Sequence, residues 1–125
     1  MHQQGNAQFK ILVVDDDPSV LSTYRRLLSR SGYTTITEDD PRKLLASGNL
    51  DPDVNLLLLD YKMPGMDGLT LLAELRRRDC AARCILISAY LNPEVHARAR
   101  ELGVDEVLEK PVDVGLLRQR IADLL

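Results

Sequence analysis

Short apolar runs alternate with segments of helical period along most of the chain, and this alternation narrows the possible folds more than any other feature. Five such runs recur at intervals of about 20–30 residues, at positions 10–15, 34–38, 55–60, 83–88 and 106–109. The segments between them repeat their apolar residues at helical spacing. Strands that alternate with helices pair in parallel, with right-handed crossovers that place helices on both faces of the sheet. The sequence therefore predicts an α/β fold, a doubly wound five-stranded parallel sheet with five helices.

The composition of the runs predicts the strand order. The runs at 10–15, 55–60 and 83–88 are rich in unbroken Val, Ile and Leu, as a strand covered on both faces requires. The other two runs contain Thr or Glu and suit the edges of the sheet. An order of 3-2-1-4-5 would place the most apolar run at an edge, whereas 2-1-3-4-5 leaves only the two polar runs outside. We therefore predict the flavodoxin-like order 2-1-3-4-5.

Local signals mark the ends of the helices. Three helices are predicted to begin where a capping residue precedes proline, at Asp17-Pro18, Asp40-Pro41 and Asn92-Pro93, and Asp67 is the expected cap of the third helix. Three glycines fall where helices should end in a left-handed conformation: Gly32, Gly48 and Gly103. The predicted buried stripes are Val20, Leu21, Tyr24, Leu27 and Leu28; Leu69, Leu72 and Leu75; and Leu116, Leu117, Ile121 and Leu124.

Composition limits the class of protein. The chain has 125 residues, of which 45% are hydrophobic and 28% charged, as expected for one globular domain. A net charge of −3 argues against the basic surface of a nucleic-acid binder, and no apolar run approaches the roughly 20 residues of a membrane helix. The polar residues 1–8 do not resemble a signal peptide. We expect a cytoplasmic protein that binds neither nucleic acid nor membrane, with a polar leader at 1–8 and one domain at 9–125.

Polar side chains follow four of the five runs, at the edge of the sheet where folds of this kind bind ligands. They are Asp15, Asp16 and Asp17 at the end of the first run, Asp60 at the end of the third, Ser88 at the end of the fourth, and Lys110 after the fifth. Neighbouring strands lie about 4.8 Å apart, so Asp15 or Asp16 must lie close to Asp60. Like charges packed this closely either share a proton or hold a cation.

The charges of these residues suit a divalent cation and a phosphoryl group. Asp15, Asp16, Asp60 and Lys110 together carry a formal charge of −2, which one Mg²⁺ neutralises. A few hard oxygen ligands that leave room for water and phosphate suit Mg²⁺ better than Ca²⁺. A neutralised pocket that contains a lysine and a hydroxyl suits a phosphoryl group, and one carboxylate could itself be the nucleophile. Asp17 has a simpler explanation as the cap of the first helix.

Four segments, in this order and spacing, identify a known family. They are ILVVDDDP at 11–18, LLLLDYKMPGMDG at 56–68, ILISA at 85–89 and KP at 110–111. From about residue 9 to 125 the chain closely resembles the receiver domains of two-component response regulators, and LLLLDYKMPGMDG is highly specific by itself. The resemblance implies that Asp60 accepts a phosphoryl group from a histidine kinase or phosphotransfer protein. It implies that Asp16 and Asp60 bind Mg²⁺ directly, together with the backbone carbonyl of Lys62, and that Asp15 assists largely through water.

The resemblance also implies how the switch works. Ser88 would bind a phosphoryl oxygen and reorient on activation, Lys110 would pair with the phosphate, and the Lys110-Pro111 peptide bond would be cis. One position departs from the family pattern, because the aromatic residue that usually lies three positions before the lysine, and whose rotation reports phosphorylation, is Val107 here. Tyr90, two residues beyond Ser88, is a candidate to replace it in part.

The partners follow from the same resemblance. In receivers the fourth helix, fifth strand and fifth helix commonly form the output or dimer face. This face would carry charged residues of both signs: Arg98, Arg100, Arg118, Arg120, Asp105, Glu106 and Glu109. We expect a monomer, or a dimer that forms on phosphorylation through this face, controlling an unidentified output domain or partner.

Two other functions fit part of the sequence. The spacing of Asp15, Asp17 and Ser19 matches the nucleophile motif of haloacid-dehalogenase-type phosphatases, but those enzymes need a longer chain and a further acidic pair after the lysine. A degenerate receiver that only binds another protein would have lost an acidic or lysine position, and none is lost here. We therefore expect a receiver that catalyses its own phosphorylation and dephosphorylation and is not otherwise an enzyme.

Overall fold

Five parallel strands form the sheet in the predicted order, β2-β1-β3-β4-β5. This computed structural model describes residues 9–48, 50–90 and 92–125, so the predicted leader at 1–8 lies outside the described residues. The strands are β1 Lys10–Val14, β2 Thr34–Glu38, β3 Val54–Asp60, β4 Arg83–Ser88 and β5 Glu106–Glu109. The helices are α1 Pro18–Arg30, α2 Pro41–Ser47, α3 Gly68–Arg77, α4 Pro93–Glu101 and α5 Val114–Leu124. The flavodoxin-like α/β fold is therefore confirmed, and the predicted strand bounds differ only at the end of β1 and the start of β3, by one residue each.

The leucines of β3 connect the two layers of the core. Residues 56–59 are all leucine and none is more than 1% exposed. Because successive side chains of a strand point to opposite faces, Leu57 and Leu59 pack in one cluster with residues of α3 and α4. Leu56 and Leu58 pack in a second cluster with residues of α1 and α5. The unbroken leucine run is thus a consequence of burial on both faces, and it fixes β3 at the centre of the sheet.

The ends of the helices lie where the sequence predicts. The side chains of Asp17, Asp40, Asp67 and Asn92 each accept a backbone N–H in the first turn of their helix. Asp113 caps α5 in the same way, although it is not among the caps predicted from the sequence. The three expected left-handed glycines have φ angles of 92°, 68° and 77°: Gly32, Gly48 and Gly103.

Two of the predicted apolar stripes are narrower in the structure. On α1 only Leu21 and Leu28 are buried, and the other members of the stripe are half-buried. On α5 Leu117 and Ile121 are buried, whereas Leu116 is 40% exposed because it lies to the side of the face that meets the sheet.

In the described part of the chain, no helix has the length and apolar character that crossing a membrane requires.

Gly68, the first residue of α3, lies directly against the end of β3. Its N–H donates to the carbonyl of Tyr61 at 2.7 Å. A Cβ atom at this position would lie 2.4 Å from the carbonyl oxygen of Asp60, well inside the contact distance of real Cβ atoms. The absence of a side chain here allows α3 to begin directly against the backbone of Asp60 at the end of β3.

We expect Gly68→Ala to lower the free energy of unfolding by about 1–3 kcal/mol, because the added methyl group meets backbone atoms that cannot move aside easily. Gly115→Ala is the matched control in the first turn of α5. Its added Cβ would lie 3.4 Å from Asp113 Oδ1, an ordinary contact, so alanine should be neutral or stabilise by up to about 1 kcal/mol. Urea denaturation of both variants measures the difference, and equal stability of the two would contradict this role for Gly68.

Candidate functional site

Three carboxylates converge at the carboxyl edge of the sheet. In the parallel pairing of β1 with β3, Val14 lies opposite Leu59, so the next residue of each strand brings Asp15 opposite Asp60. One oxygen each of Asp15, Asp16 and Asp60 lies within 4.8 Å of the others. Asp15 and Asp60 are 4% and 5% exposed, while Asp16 is open to solvent. The predicted cluster of acidic side chains is therefore present, with its open side at Asp16.

Asp17 is oriented by its role at the start of α1. Its Oδ1 accepts from the backbone N–H of Ser19 at 2.9 Å and from the Ser19 hydroxyl at 2.7 Å. Its own N–H donates to Asp15 Oδ1 at 2.9 Å, which holds the Asp15 carboxylate in place. The structure therefore separates the three consecutive aspartates into two members of the acidic cluster and one helix cap.

Lys110 is the first residue of the loop after β5, and its side chain reaches the acidic cluster. Its Nζ is 2.8 Å from Asp60 Oδ1, and its backbone N–H donates to the Ser88 carbonyl at 3.0 Å. The ammonium therefore forms a close ion pair with the buried Asp60 carboxylate. The Lys110-Pro111 peptide bond is cis, as the family resemblance implies.

Ser88 brings a hydroxyl to the same edge. The residue before it, Ile87, lies opposite Asp60 in the pairing of β3 with β4, and the Ile87 carbonyl accepts from Tyr61 at 2.8 Å. Ser88 is 1% exposed, and its Oγ accepts the backbone N–H of Tyr90 at 2.8 Å. The ends of β3 and β4 thus bring Ser88 to the same edge of the sheet as Asp60, the predicted phosphoacceptor.

The carboxylates of the site are buried with too little positive charge around them to balance their own. Burial raises the pKa of Asp15 to about 6, and the Asp17 N–H only partly opposes this. Burial also raises the pKa of Asp60, although Lys110 acts in the opposite direction. The pKa of Lys110 is raised because the carboxylates around it outweigh the effect of its own burial. The site therefore carries more negative charge than its surroundings stabilise.

The residues at this edge fit a magnesium ion. They offer carboxylate oxygens from Asp15, Asp16 and Asp60, with one side open to solvent for water ligands. Lys110 Nζ contacts Asp60, which leaves the negative charges of Asp15 and Asp16 for a cation to offset. Lys62 lies in the loop after β3, and the role of its backbone carbonyl as a ligand stays a prediction.

The exposed side chains of Lys62 and Tyr90 contact each other beside the site. Lys62 Nζ donates to the Tyr90 hydroxyl at 3.3 Å and lies 4.8 Å from the centroid of the Tyr90 ring. The two residues follow Asp60 and Ser88 by two positions each, on neighbouring strands. The sequence singles out both positions, but their mutual contact depends on side-chain conformations that no spacing reveals.

A surface groove of about 560 Å³ borders the site on the side of α1 and α5. Its walls are formed by Ser19, Val20, Thr23, Tyr24 and Leu27 of α1 and by Lys110, Pro111, Val112 and Val114. The groove is mostly apolar and reaches Lys110, the ion-pair partner of Asp60. The groove could not be predicted from the sequence, because its two walls are far apart in the chain. The apolar residues of α1 that the core leaves half-buried, Val20, Tyr24 and Leu27, line it.

The charges expected on the dimer face are partly paired within the chain. Arg120 lies 3.5 Å from Glu106 and 3.5 Å from Asp123. Arg98 lies 3.4 Å from Asp67, the cap of α3, and so faces the neighbouring helix. These contacts leave fewer charges for a second copy of the chain, and dimerisation through this face stays a prediction.

The chain is similar to one family over most of its length. A family model described as the response regulator receiver domain matches residues 11–122. The chain is 35% identical over 105 residues to the DNA-binding transcriptional regulator NtrC of Salmonella typhimurium, an alignment that covers 83% of this chain and 22% of that protein. It is 32% identical to the chemotaxis protein CheY of Treponema pallidum, covering 97% of this chain and 85% of that protein.

A solved structure shows the same likeness in three dimensions. The response regulator protein TrrA of Thermotoga maritima has a TM-score of 0.78 to this chain and is 30% identical in sequence. The match covers 94% of this chain and 99% of TrrA. The chain thus spans nearly all of TrrA but about a fifth of NtrC.

We expect Asp15→Asn to raise the free energy of unfolding of the metal-free protein at pH 7 by about 1–2 kcal/mol, because it removes a charge that burial disfavours. The folded pKa of about 6 lies above the ordinary value for aspartate, so the cost is complete above pH 6 and is lost as the pH falls toward 4. Millimolar Mg²⁺ should stabilise the unmodified protein and stabilise this variant less. Urea denaturation with and without Mg²⁺ measures both effects.

Asp17→Asn is the matched control, since it removes a neighbouring charge, lies outside the acidic cluster and keeps a good capping side chain. It should leave the response to Mg²⁺ unchanged and should not stabilise the metal-free protein. Equal stabilisation by the two substitutions would show that overall charge, and not crowding of the three carboxylates, controls stability.

Proposed function

The chain belongs to the family of response regulator receiver domains, and from that membership we propose that it is a switch in which Asp60 accepts a phosphoryl group. The observation that carries this proposal is the placement of Asp60, buried at the end of β3 between two further carboxylates and 2.8 Å from Lys110. The donor is a histidine kinase or phosphotransfer protein. The phosphorylated and unphosphorylated forms then control an output domain or partner.

The residues of the site supply the groups that phosphoryl transfer needs. A carboxylate oxygen of Asp60 attacks the phosphorus of the donor, forming a P–O bond as the P–N bond to the donor histidine breaks. The electron pair of that bond leaves with the imidazole, which takes up a proton from solvent. Lys110 and Ser88 stabilise the charge on the phosphoryl oxygens, because an ammonium and a hydroxyl both donate to them.

Mg²⁺ is the proposed cofactor, held by Asp15, Asp16 and Asp60 with the carbonyl of Lys62. When bound, it supplies positive charge that offsets the carboxylates and the incoming phosphoryl group. The solved structure of TrrA is described as a complex with Mg(2+)-BeF, which supports the assignment of the metal by similarity.

The alternative functions receive less support from the geometry. A haloacid-dehalogenase-type phosphatase would use Asp17 as a second catalytic carboxylate, whereas Asp17 accepts two hydrogen bonds from Ser19 as a helix cap. A degenerate receiver would lack one of the charged groups, whereas Asp60, Asp16 and Lys110 all lie at the same edge. We propose that the protein catalyses only its own phosphorylation and dephosphorylation.

Asp60→Asn should abolish phosphorylation, because the amide is a far weaker nucleophile than the carboxylate. The unmodified protein, incubated with acetyl phosphate and Mg²⁺, should gain the mass of one phosphoryl group by intact-mass spectrometry, and EDTA should prevent the gain. Asp17→Asn should be labelled normally. Labelling of Asp60→Asn would contradict the acceptor assignment, and steady turnover of a phosphate monoester would favour the phosphatase.

The groove between α1 and α5 is the proposed docking surface for the protein donor. A donor histidine has to reach Asp60 past Lys110, and Lys110 is itself part of the wall of the groove. The other lining side chains are mainly apolar, so a helix of the donor that presents apolar residues would bury them. We expect this groove to be covered during phosphotransfer.

Val114→Gln should slow phosphotransfer from a phosphorylated histidine kinase several-fold and leave the rate with acetyl phosphate within twofold. Val114 is 48% exposed and lines the groove. Leu116→Gln is the control, since Leu116 lies on the same helix at 40% exposure but outside the groove. Equal effects of the two substitutions with the kinase would exclude the groove as the docking surface.

The contact between Lys62 and Tyr90 favours a long lifetime of the phosphorylated form. In receivers the positions two residues beyond the acceptor and beyond the hydroxyl border the approach of water and tune hydrolysis. Here a lysine, which offers no acceptor to orient water, meets a bulky aromatic ring. We propose that the pair shields the acyl phosphate from the line of attack.

The phosphorylated protein should therefore decay with a half-life of many minutes to hours after removal of the donor. Replacing both residues, with Lys62→Asn and Tyr90→Glu, should shorten the half-life, because an open path and a carboxylate acceptor both assist an attacking water. Lys43→Asn, on the exposed surface of α2, controls for the loss of a positive charge. Decay within seconds, or a double variant as slow as the unmodified protein, would contradict the proposal.

A further inference from the structure

The turn between β3 and α3, residues 61–67, is fastened at its two ends but not in its middle. The Tyr61 N–H donates to the Ile87 carbonyl at 2.8 Å, and the Gly68 N–H donates back to the Tyr61 carbonyl at 2.7 Å. Among the described residues, no backbone–backbone hydrogen bond involves residues 62–66. The position of this stretch, which carries the predicted metal-binding carbonyl of Lys62, therefore depends on the side chains that pack against it.

Arg42, in the first turn of α2, is one of these side chains. A Cβ atom built on Gly65 would lie 3.1 Å from Arg42 Cζ and 3.2 Å from both Nε and Nη1. A point in the plane of the guanidinium could not be so nearly equidistant from these three atoms at that range. The flat face of the group therefore covers the side of Gly65 on which a side chain would stand. With a φ angle of 82°, Gly65 serves both the turn and this close contact.

Asp40 holds the guanidinium in this orientation. As the cap of α2, Asp40 accepts the backbone N–H of Arg42 at 2.9 Å. Its two carboxylate oxygens also accept from the side chain of Arg42, from Nε at 3.2 Å and from Nη2 at 3.4 Å. Two contacts of this kind orient a planar group better than one does. The charges of the pair cancel, so its main effect on the surroundings is through contact.

The contact between Arg42 and Gly65 lies beside the open side of the acidic cluster. Arg42 and Pro64 line a cavity of about 290 Å³ together with Asp16, the exposed member of the cluster. Lys62 precedes Gly65 by three residues in the same turn. Arg42 thus packs against the turn at the place where the site is open to solvent.

We propose that Arg42 is a positioning residue for the magnesium site, holding the turn that carries the Lys62 carbonyl; the proposal rests on the function proposed above. Arg42 is not itself a metal ligand, because a guanidinium offers no acceptor. A loose turn would lose conformational entropy when a metal bound to it, whereas a turn that is already held has lost that entropy on folding. Removing the guanidinium should therefore weaken metal binding and leave the fold intact.

Nuclear magnetic resonance of the ¹⁵N-labelled protein tests this role. Titration with Mg²⁺ alone, without a phosphoryl donor, gives the dissociation constant from the shifts of the Tyr61 and Gly68 amides. Arg42→Ala should raise this constant about threefold to tenfold, near the lower end of the effect of residues that orient metal ligands. In the metal-free variant, ¹⁵N relaxation should also show larger motions of the Met63, Gly65 and Met66 amides than in the unmodified protein.

Two further variants separate contact from charge. Arg42→Lys keeps the charge but loses the flat face and the paired donors, so it should also weaken binding. Lys43→Ala is the matched control, because it removes the neighbouring charge of α2, which lies 3.7 Å from Asp39. It should leave the dissociation constant within about twofold, as expected for an exposed ion pair. If charge were decisive, Arg42→Ala would bind Mg²⁺ more tightly and Arg42→Lys would bind it normally, and either result would overturn the proposal.

Gly65→Ala tests the same contact from the side of the turn. The added methyl group would meet the guanidinium at 3.1 Å and displace it, so this variant should also bind Mg²⁺ more weakly. Adding Arg42→Ala to Gly65→Ala should then have less than half of its effect in the unmodified protein, measured as the logarithm of the dissociation constant. Residues in contact are expected to show such non-additivity, and fully additive effects would contradict the contact.

The outcomes distinguish this inference from the proposed function. If the unmodified protein shows no shifts with millimolar Mg²⁺, the proposed cofactor fails and the role of Arg42 fails with it. If the unmodified protein binds Mg²⁺ and Arg42→Ala binds it equally well, the role of Arg42 is wrong and the proposed function stands. The Arg42 side chain is 64% exposed, so urea denaturation should show nearly unchanged stability in its variants.

Discussion

The parallel register between β1 and β3 is the constraint on which the site depends. Val14 lies opposite Leu59, and the chain continues from this pair directly into Asp15 and Asp60. Because side chains alternate between faces, a slip of one residue would carry Asn55 or Asp60 into a position that leucine now occupies and would separate the carboxylates. Burial of the leucine run therefore enforces the alignment that brings Asp15 and Asp60 together.

The acidic cluster is costly to the fold, and the core around it offsets this cost. Burial raises the pKa of both Asp15 and Asp60, so each ionised carboxylate is less stable in the folded chain than in water. Lys110 is the cation that contacts Asp60, and it compensates for one of the charges. A divalent cation bound among these carboxylates would offset the negative charge that remains.

Much of the fold and of the site could be predicted from the sequence. The strand order follows from which runs are continuously apolar, and the site follows because the carboxyl ends of parallel strands meet at one edge. The cap at Asp113 was not predicted, because the Val114-Gly115 that follows it is a weak signal for the start of a helix, and Leu116 of the predicted α5 stripe is exposed. The contact of Lys62 with Tyr90 and the pairing of Arg98 with Asp67 depend on the conformations of long side chains. The groove beside Lys110 depends on the spacing of α1 from a segment far away in sequence, which no local pattern encodes.

The alternation of leucines along β3 also separates the two faces of the domain as working surfaces. The groove beside α1 and α5 rests on the cluster that contains Leu56 and Leu58, while α4 rests on the cluster that contains Leu57 and Leu59. Among the residues that the structure describes, no side chain belongs to both clusters, and the backbone of the sheet lies between them. The surfaces of these two layers can therefore diverge independently during evolution, because side chains packed in one layer do not reach the other. For protein engineering, exposed residues of one helical layer can be exchanged while the packing behind the sheet is retained.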